Sequence, residues 1–260
     1  MTTKTLAHVS DLHLGLAPAA ERGAAALCDA LLRCGVDHVL VTGDLTEKGR
    51  RAELDQFRRA FEPLLEAGRV TMVPGNHDRA GDDVAGEIMP GRRVQAEERD
   101  GLYLVSLDST AAHNRSLLTS HGHVDQADVE AVAAALDDAP PGALRVLGLH
   151  HHLTPLPGDF LHESLASWLG IVWCDELAAG EALLTRIRGR CDLVLHGHRH
   201  VPRQSVAFGA MPIYNAGAST QLGRVRIFSH RAGALEGGPR WLSMVSPRLA
   251  SRAAAVAAAA

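Results

Sequence analysis

The sequence predicts an α/β protein built as a four-layer αββα sandwich, with two mixed β-sheets face to face and helices outside. Two observations support this fold. The amino-terminal part alternates apolar runs with amphipathic segments, which is the β-α-β-α-β pattern of a parallel sheet covered by helices. The carboxyl-terminal part changes to closely spaced short β segments, which favour antiparallel pairing. The 260 residues, with 46% hydrophobic, suffice for one large domain.

The amino-terminal elements follow from apolar periodicity. Three apolar runs are short and end at a glycine, a proline or an aspartate, as is typical of buried strands. The segments between them carry apolar residues at helical spacing. The predicted strands are 4–10, 36–42 and 70–73, and the predicted helices are 19–33 and 51–66.

The same criteria place the remaining elements. Two more amphipathic segments predict helices, and the first of them opens with an acidic turn. Apolar or alternating runs predict the strands. The predicted helices are 125–136 and 181–188, and the predicted strands are 101–107, 144–149, 192–195, 204–208, 211–215, 224–228 and 241–245.

We expect residues 1–250 to form a single domain and the alanine-rich residues 251–260 to be disordered. Segment 152–178 has no clear periodicity and is punctuated by proline and glycine. A loop of this length is more typical of a lid or wall beside a binding site than of a plain connection. Its Trp168 and Trp173 are predicted to contact substrate, and the alternative is that they pack in the core or at a homodimer contact.

Composition narrows the function classes. The formal net charge of −4 argues against nucleic acid as the main partner, since nucleic-acid-binding proteins usually carry a basic surface. The four cysteines form no CxxC pair and are expected to be reduced thiols. The start of the sequence has no apolar signal core, and no stretch is long and apolar enough to span a membrane. We therefore expect a cytoplasmic protein.

Polar motifs follow five of the predicted strands. In open α/β sheets the carboxyl ends of strands are where ligands collect. Oxygen and nitrogen ligands without thiolate suit Mn²⁺, Fe²⁺/Fe³⁺, Zn²⁺ or Co²⁺. There are too many ligands for one tetrahedral ion, whereas two ions bridged by a shared carboxylate would use them all and suit phosphoester hydrolysis. The motifs are Asp11-Leu12-His13, Gly43-Asp44, Gly75-Asn76-His77-Asp78, His150-His151-His152 and Gly197-His198-Arg199-His200.

This ordered set resembles the calcineurin-like metallophosphoesterases, whose blocks run D-x-H, G-D, G-N-H-[D/E], H and G-H-x-H. The resemblance implies a first ion, a bridging carboxylate, a second ion and a proton-donating histidine. The first ion would be held by Asp11, His13, Asp44 and His200, with Asp44 bridging, and the second by Asn76, one histidine of the triplet and His198. Asn76 and His77 would also contact the substrate, with His77 as the catalytic acid.

The ligand within the histidine triplet stays open. The family's fourth block usually begins an H-x-P or H-H-P string, but here Leu153-Thr154-Pro155 follows the triplet and the proline is displaced. We favour His151, with His150 second. The resemblance implies direct hydrolysis, in which hydroxide held between the ions attacks phosphorus and His77 assists the leaving oxygen.

The predicted function is hydrolysis of a small phosphodiester of the cyclic-nucleotide or glycerophosphodiester type, because the motifs look most like those of bacterial class III phosphodiesterases. A nuclease and a lipid-precursor pyrophosphatase of the same superfamily are the alternative enzymes. The alternative of another class is a metal-free interaction scaffold. Such scaffolds typically lose ligands, whereas here every ligand position is filled.

Overall fold

The computed structural model describes residues 2–116, 119–154 and 177–244. Trp168, Trp173, most of the predicted lid and the alanine-rich tail lie outside the described residues. The strands are β1 (Lys4–Val9), β2 (His38–Thr42), β3 (Val70–Val73), β4 (Val94–Arg99), β5 (Leu102–Leu107), β6 (Leu144–Leu149), β7 (Leu193–His196), β8 (Arg203–Ala207), β9 (Met211–Asn215), β10 (Arg224–Arg231), β11 (Ala234–Leu235) and β12 (Arg240–Ser243). The helices are α1 (Pro18–Cys34), α2 (Arg51–Ala60), α3 (Glu62–Glu66), α4 (Ala85–Ile88), α5 (Gln126–Asp137), α6 (Gly180–Ile187) and α7 (Ser219–Leu222), with 3-10 turns at His77–Arg79 and Ala112–Arg115.

Two mixed sheets form the centre of the molecule. The first has the order β11-β10-β1-β2-β3, with β12 also paired to β10, and the second has the order β4-β5-β6-β7-β9-β8. Strands β1, β2 and β3 are parallel, and so are β5, β6, β7 and β9. The parallel strands bring the ends that carry the polar motifs to one pole of the sandwich.

Three apolar clusters separate four layers. One cluster joins α1 and α2 to the first sheet, another joins α5 and α6 to the second sheet, and the third lies between the sheets. Strand β2 is buried on both faces, so its side chains alternate between clusters. Leu40 packs between the sheets, whereas Val39 and Val41 pack toward the helices. The predicted αββα sandwich is confirmed.

The structure departs from the predicted elements at helix 51–66, at strand β4 and in the pairing of β9, and it adds the short elements α4, α7 and β11. The predicted helix 51–66 is divided at Phe61, because Pro63 has no N–H to continue the hydrogen-bond ladder. Strand β4 was not predicted, since its sequence is polar and it lies at a sheet edge with a single partner. The late strands pair antiparallel as expected, except that β9 runs parallel to β7.

Among the described residues, no helix combines the length and the apolar character that a membrane crossing requires.

Candidate metal centre

The five polar motifs meet at one pole of the sandwich. Asp11 lies two residues beyond β1, Asp44 two beyond β2 and His198 two beyond β7. Asn76 lies in the turn after β3, and His150 follows β6 directly. All but His198 are at most 5% exposed. The two sheets therefore deliver side chains to one buried site.

The backbone at this pole is held in a conformation that residues other than glycine seldom adopt. Four motif residues other than glycine have positive φ angles, namely 52° at Asp11, 48° at His13, 50° at Asp44 and 73° at His198. Left-handed backbone is costly for such residues and persists where surrounding structure imposes it, most often at functional sites. The strain here lies on the predicted ligands.

Two glycines allow the motifs to approach one another closely. A Cβ on Gly75 would overlap the carboxylate of Asp44, and a Cβ on Gly43 would overlap the ring of His150. Gly43 also has a φ of +92°, which favours glycine. The glycines in the G-D and G-N blocks are therefore required by the packing of ligand side chains.

One group of candidate ligand atoms comes from the first and last motifs. His13 Nε2 lies 3.0 Å from His200 Nε2, and His200 Nε2 lies 3.8 Å from Asp11 Oδ1. These three residues form one of the clusters able to hold a metal ion. Ligand atoms that share an ion at about 2.0–2.2 Å lie roughly 3–3.5 Å apart, so the spacing fits such a site.

A second group centres on Asn76. Its Oδ1 lies 3.1 Å from His150 Nε2 and 3.1 Å from His198 Nδ1. Asp44 connects the two groups, because its Oδ2 lies 3.3 Å from His150 Nε2 and 3.9 Å from His13 Nε2. The carboxylate of Asp44 thus faces ligand atoms from both groups.

The rings of His150 and His151 have different surroundings. His150 Nδ1 donates to the carbonyl of Thr42 at 2.7 Å, which leaves its Nε2 directed at Asn76 and Asp44. A metal-binding histidine commonly donates its other ring N–H to a carboxylate, a backbone carbonyl or water, which orients the ring.

Both ring nitrogens of His151 already have partners. Its Nε2 donates to the carbonyl of Ser120 at 2.9 Å, and its Nδ1 accepts from the hydroxyl of Ser109 at 2.8 Å. His151 still lies within a candidate cluster with His150 and His198. The hydrogen bonds nevertheless favour His150 as the ligand and His151 as a buried support.

Glu47 connects the two histidines that the motifs assign to different tasks. Its Oε2 accepts from His13 Nδ1 at 2.9 Å, and its backbone carbonyl accepts from His77 Nδ1 at 2.7 Å. The two rings meet edge to face, with centroids 4.7 Å apart. Glu47 therefore directs His13 Nε2 toward the metal cluster and fixes the ring of His77 beside it.

Asp78 has a local structural role. Its carboxylate is fully buried and accepts from the backbone N–H groups of Thr46 and Gly75 at 2.9 Å and from the Thr46 hydroxyl at 2.7 Å. Burial and the nearby charge of Asp44 raise the pKa of Asp78. Asp78 thus joins the loop that carries Asp44 to the loop that carries Asn76.

The pKa shifts reflect a concentration of carboxylates. Burial alone would lower the pKa of His13, but the hydrogen bond to Glu47 and the charges of Asp44 and Asp11 raise it to about 9. Burial likewise opposes protonation of His150, yet Asp44 raises its pKa to about 9. The site therefore favours positive charge at these positions, and metal cations would supply that charge in place of protons.

One buried atom of the cluster supports metal binding directly. Asp11 Oδ2 has no hydrogen-bond partner in the described part of the chain. Buried polar atoms without partners are rare and costly, so this one calls for an explanation. A cation bound beside Asp11 would satisfy it, and the oxygen and nitrogen donors of the cluster match Mn²⁺, iron, Zn²⁺ or Co²⁺.

The structure brings together the predicted ligands and His77, but the predicted substrate contacts Trp168 and Trp173 lie outside the described residues. Glu47 was not predicted from the sequence. It lies within the same loop as Asp44, three residues further along, and that proximity was the one available signal. The supporting carbonyl of Thr42 has no sequence signal, because any residue provides one.

The chain is similar in sequence to a phosphodiesterase and in fold to two phosphatases. The chain is 28% identical over 234 residues to a cAMP/cGMP dual specificity phosphodiesterase of Mycobacterium tuberculosis (strain CDC 1551 / Oshkosh), and the match covers 82% of this chain and 67% of that protein. The fold of this chain is similar to that in the crystal structure of a dimetal phosphatase from Danio rerio, with a TM-score of 0.62 and 13% identity. The match covers 93% of this chain and 99% of the Danio rerio protein.

A purple acid phosphatase from yellow lupin (Lupinus luteus) seeds also has a TM-score of 0.62, at 12% identity. That match covers 94% of this chain and 52% of the lupin protein, so the chain spans about half the length of the lupin enzyme. At such identities the two structural similarities show a shared fold.

The family assignment rests on a match that contains every polar motif. The profile of the calcineurin-like phosphoesterases matches residues 4–202. This range begins at β1 and ends just after His200, so it includes all the clustered ligand residues. The chain therefore belongs to the calcineurin-like phosphoesterase family and is a metal-dependent phosphoester hydrolase.

Proposed function

We propose that this protein hydrolyses a small phosphodiester at a centre of two metal ions bridged by Asp44. One observation carries the proposal, namely that Asp44 Oδ2 faces His13 Nε2 at 3.9 Å and His150 Nε2 at 3.3 Å. A carboxylate placed between two sets of ligand atoms is suited to bridging a pair of ions.

In this proposal Asp11, His13 and His200 hold the first ion, and Asn76, His150 and His198 hold the second. The assignment takes His150 in place of the His151 favoured from the sequence. The support is the Thr42 carbonyl behind His150 and the two hydrogen bonds that occupy the nitrogens of His151.

Two bound ions would supply a nucleophile at neutral pH, by lowering the pKa of water toward about 7, and would neutralise charge on the phosphoryl oxygens. The protein contributes the acid. His77 Nδ1 is held by the Glu47 carbonyl at 2.7 Å, so Nε2 is the atom that can transfer a proton to the leaving oxygen. The side chain of His77 is 26% exposed, which makes it accessible to a substrate.

We propose a cyclic nucleotide or a glycerophosphodiester as the substrate class. The motifs support a diester, and the mycobacterial relative is named for hydrolysis of cAMP and cGMP. Because the chain is 28% identical to that relative, cAMP and cGMP are the first substrates to test.

A hydrolysis panel tests this function. Protein loaded with Mn²⁺, Zn²⁺, Co²⁺ or iron would be assayed on cyclic nucleotides, glycerophosphodiesters, a nitrophenyl diester and monoester, and single-stranded DNA. We expect two ions per chain and faster hydrolysis of small diesters than of the monoester. Preferential cleavage of DNA would identify a nuclease, and absence of stoichiometric metal in the loaded protein would support a scaffold.

A further inference from the structure

The turn that carries two proposed metal ligands has little support from its own sequence. His198 and His200 lie between β7 and β8, where the chain forms no strand or helix. The side chain of His200 is 48% exposed, the most open of the proposed ligands. His198 has a strained φ of 73°. Something outside this turn must hold it in place.

The support comes from the end of β9 and the residues that follow it. Three successive carbonyls of the turn accept hydrogen bonds from this segment. The side-chain amide of Asn215 donates to the carbonyl of Arg199 at 2.7 Å and to that of Val201 at 3.1 Å. The backbone N–H of Ala218 donates to the carbonyl of His200 between them at 3.0 Å. The backbone on both sides of His200 is thus fixed by one side chain.

Asn215 is itself rigidly held. It is 1% exposed and sits at the end of β9, paired with His196 of β7. Its Oδ1 accepts from the N–H of Gly217 at 3.3 Å, so the amide can only be oriented with its NH₂ toward the turn. Its backbone carbonyl accepts from Arg226 Nη1 at 2.5 Å, which links it to the first sheet.

We propose that Asn215 is a positioning residue for the first metal site, acting through the backbone of the turn to place His200 opposite His13. The inference rests on the proposed two-ion site. His200 Nε2 lies 3.0 Å from His13 Nε2, so a shift of the turn would separate these two proposed ligands. Partners that orient metal ligands are typically worth about 10- to 100-fold in metal affinity.

The test uses Asn215→Ala and Asn215→Asp. The alanine removes all three side-chain hydrogen bonds, whereas the aspartate keeps the shape and an acceptor for Gly217 but offers no donor to the two carbonyls. We expect each variant to bind one ion of the pair about 10- to 100-fold more weakly in Mn²⁺ titration calorimetry. The urea unfolding of the metal-free proteins would show that the fold is kept.

A double-mutant cycle separates positioning from a general loss of stability. In a His200→Ala background, Asn215→Ala should cause no further loss of metal affinity, because the ligand it positions is already absent. In a His150→Ala background it should still weaken the remaining ion. An equal additional loss in both backgrounds would overturn the inference.

Asn114 provides a matched control. It is 1% exposed, and its amide likewise donates to two loop carbonyls, those of Thr119 at 2.8 Å and His121 at 3.1 Å. Asn114→Ala should destabilise the metal-free protein without changing affinity for either ion. An equal loss of affinity in Asn114→Ala, or unfolding of every Asn215 variant, would show a general structural role and refute positioning.

Failure of the proposed function would be recognised separately. In that case the wild-type protein itself would not bind two ions. If the wild type binds two ions and Asn215→Ala binds them equally well, the function stands and the positioning role falls.

Discussion

The choice between His150 and His151 gives the sharpest test of the metal centre. The two residues are adjacent, identical in type and both fully buried, so each is the control for the other. Replacing His150 by alanine removes a proposed ligand of the second ion. Replacing His151 by alanine removes only a hydrogen-bonded support. The first variant should therefore lose metal affinity, and the second should lose stability.

The expected magnitudes follow from the contacts. Loss of a partner that merely orients a ligand costs about 10- to 100-fold in affinity, so loss of His150 itself should exceed about 100-fold, or about 2.7 kcal/mol, for one ion. His151→Ala breaks the bonds to Ser109 at 2.8 Å and Ser120 at 2.9 Å and leaves a cavity. That change should cost about 2–4 kcal/mol of unfolding free energy.

Two measurements read these effects. Titration calorimetry with Mn²⁺ gives the number and affinity of bound ions, and urea unfolding of the metal-free protein gives stability. We expect one tightly bound ion in His150→Ala and two in a less stable His151→Ala. Two tight ions in His150→Ala, or one in His151→Ala, would refute the assignment and restore the ligand favoured from the sequence.

Three further predictions concern the bridge, the acid and acid stability. Asp44→Ala should weaken the binding of both ions, because Asp44 Oδ2 faces ligands of both. Asp11→Ala should chiefly empty one site. Two tightly bound ions in Asp44→Ala would rule out bridging. His77→Ala should keep the ions and slow turnover by about 10²- to 10⁴-fold, with a smaller loss for a nitrophenyl leaving group that departs without a proton; equal losses would count against an acid. Burial and two nearby arginines lower the pKa of His38 from 6.5 to about 4, so the stability gained from its neutral form is complete above pH 6.5 and lost as the pH falls toward 4. His38→Gln should remove this pH dependence. The unfolding free energy of wild type minus that of the variant should therefore fall by about 3 kcal/mol between neutral pH and pH 4. A difference that stays constant with pH would contradict the lowered pKa.

The sequence by itself determined the architecture and the pole at which the chemistry lies. Apolar periodicity located the parallel strands, because strands buried on both faces need continuous apolar runs. The polar motifs could be assigned to one site because each follows a strand directly, and parallel strands end at the same pole. These signals can be read from short stretches of sequence, because Asp11 closely follows β1 and Asp44 closely follows β2.

The sequence could not predict the polar edge strand β4 or the parallel pairing of β9 with β7. Periodicity reports which faces are buried, and an edge strand such as β4 buries little. The direction in which β9 pairs depends on which neighbour the connection reaches, and closely spaced short strands favour only the commoner antiparallel choice.

Only the tertiary structure distinguishes the histidines of the triplet by their hydrogen-bond partners. His150 is oriented by the carbonyl of Thr42, 108 positions away in the chain and in the other sheet. Glu47 and Asn215 acquired their roles through partners at the ends of neighbouring strands within one sheet, which only the strand order brings near. Hydrogen-bond partners across layers depend on side-chain direction and on the distance between sheets. Neither is encoded in the spacing of residues along one strand.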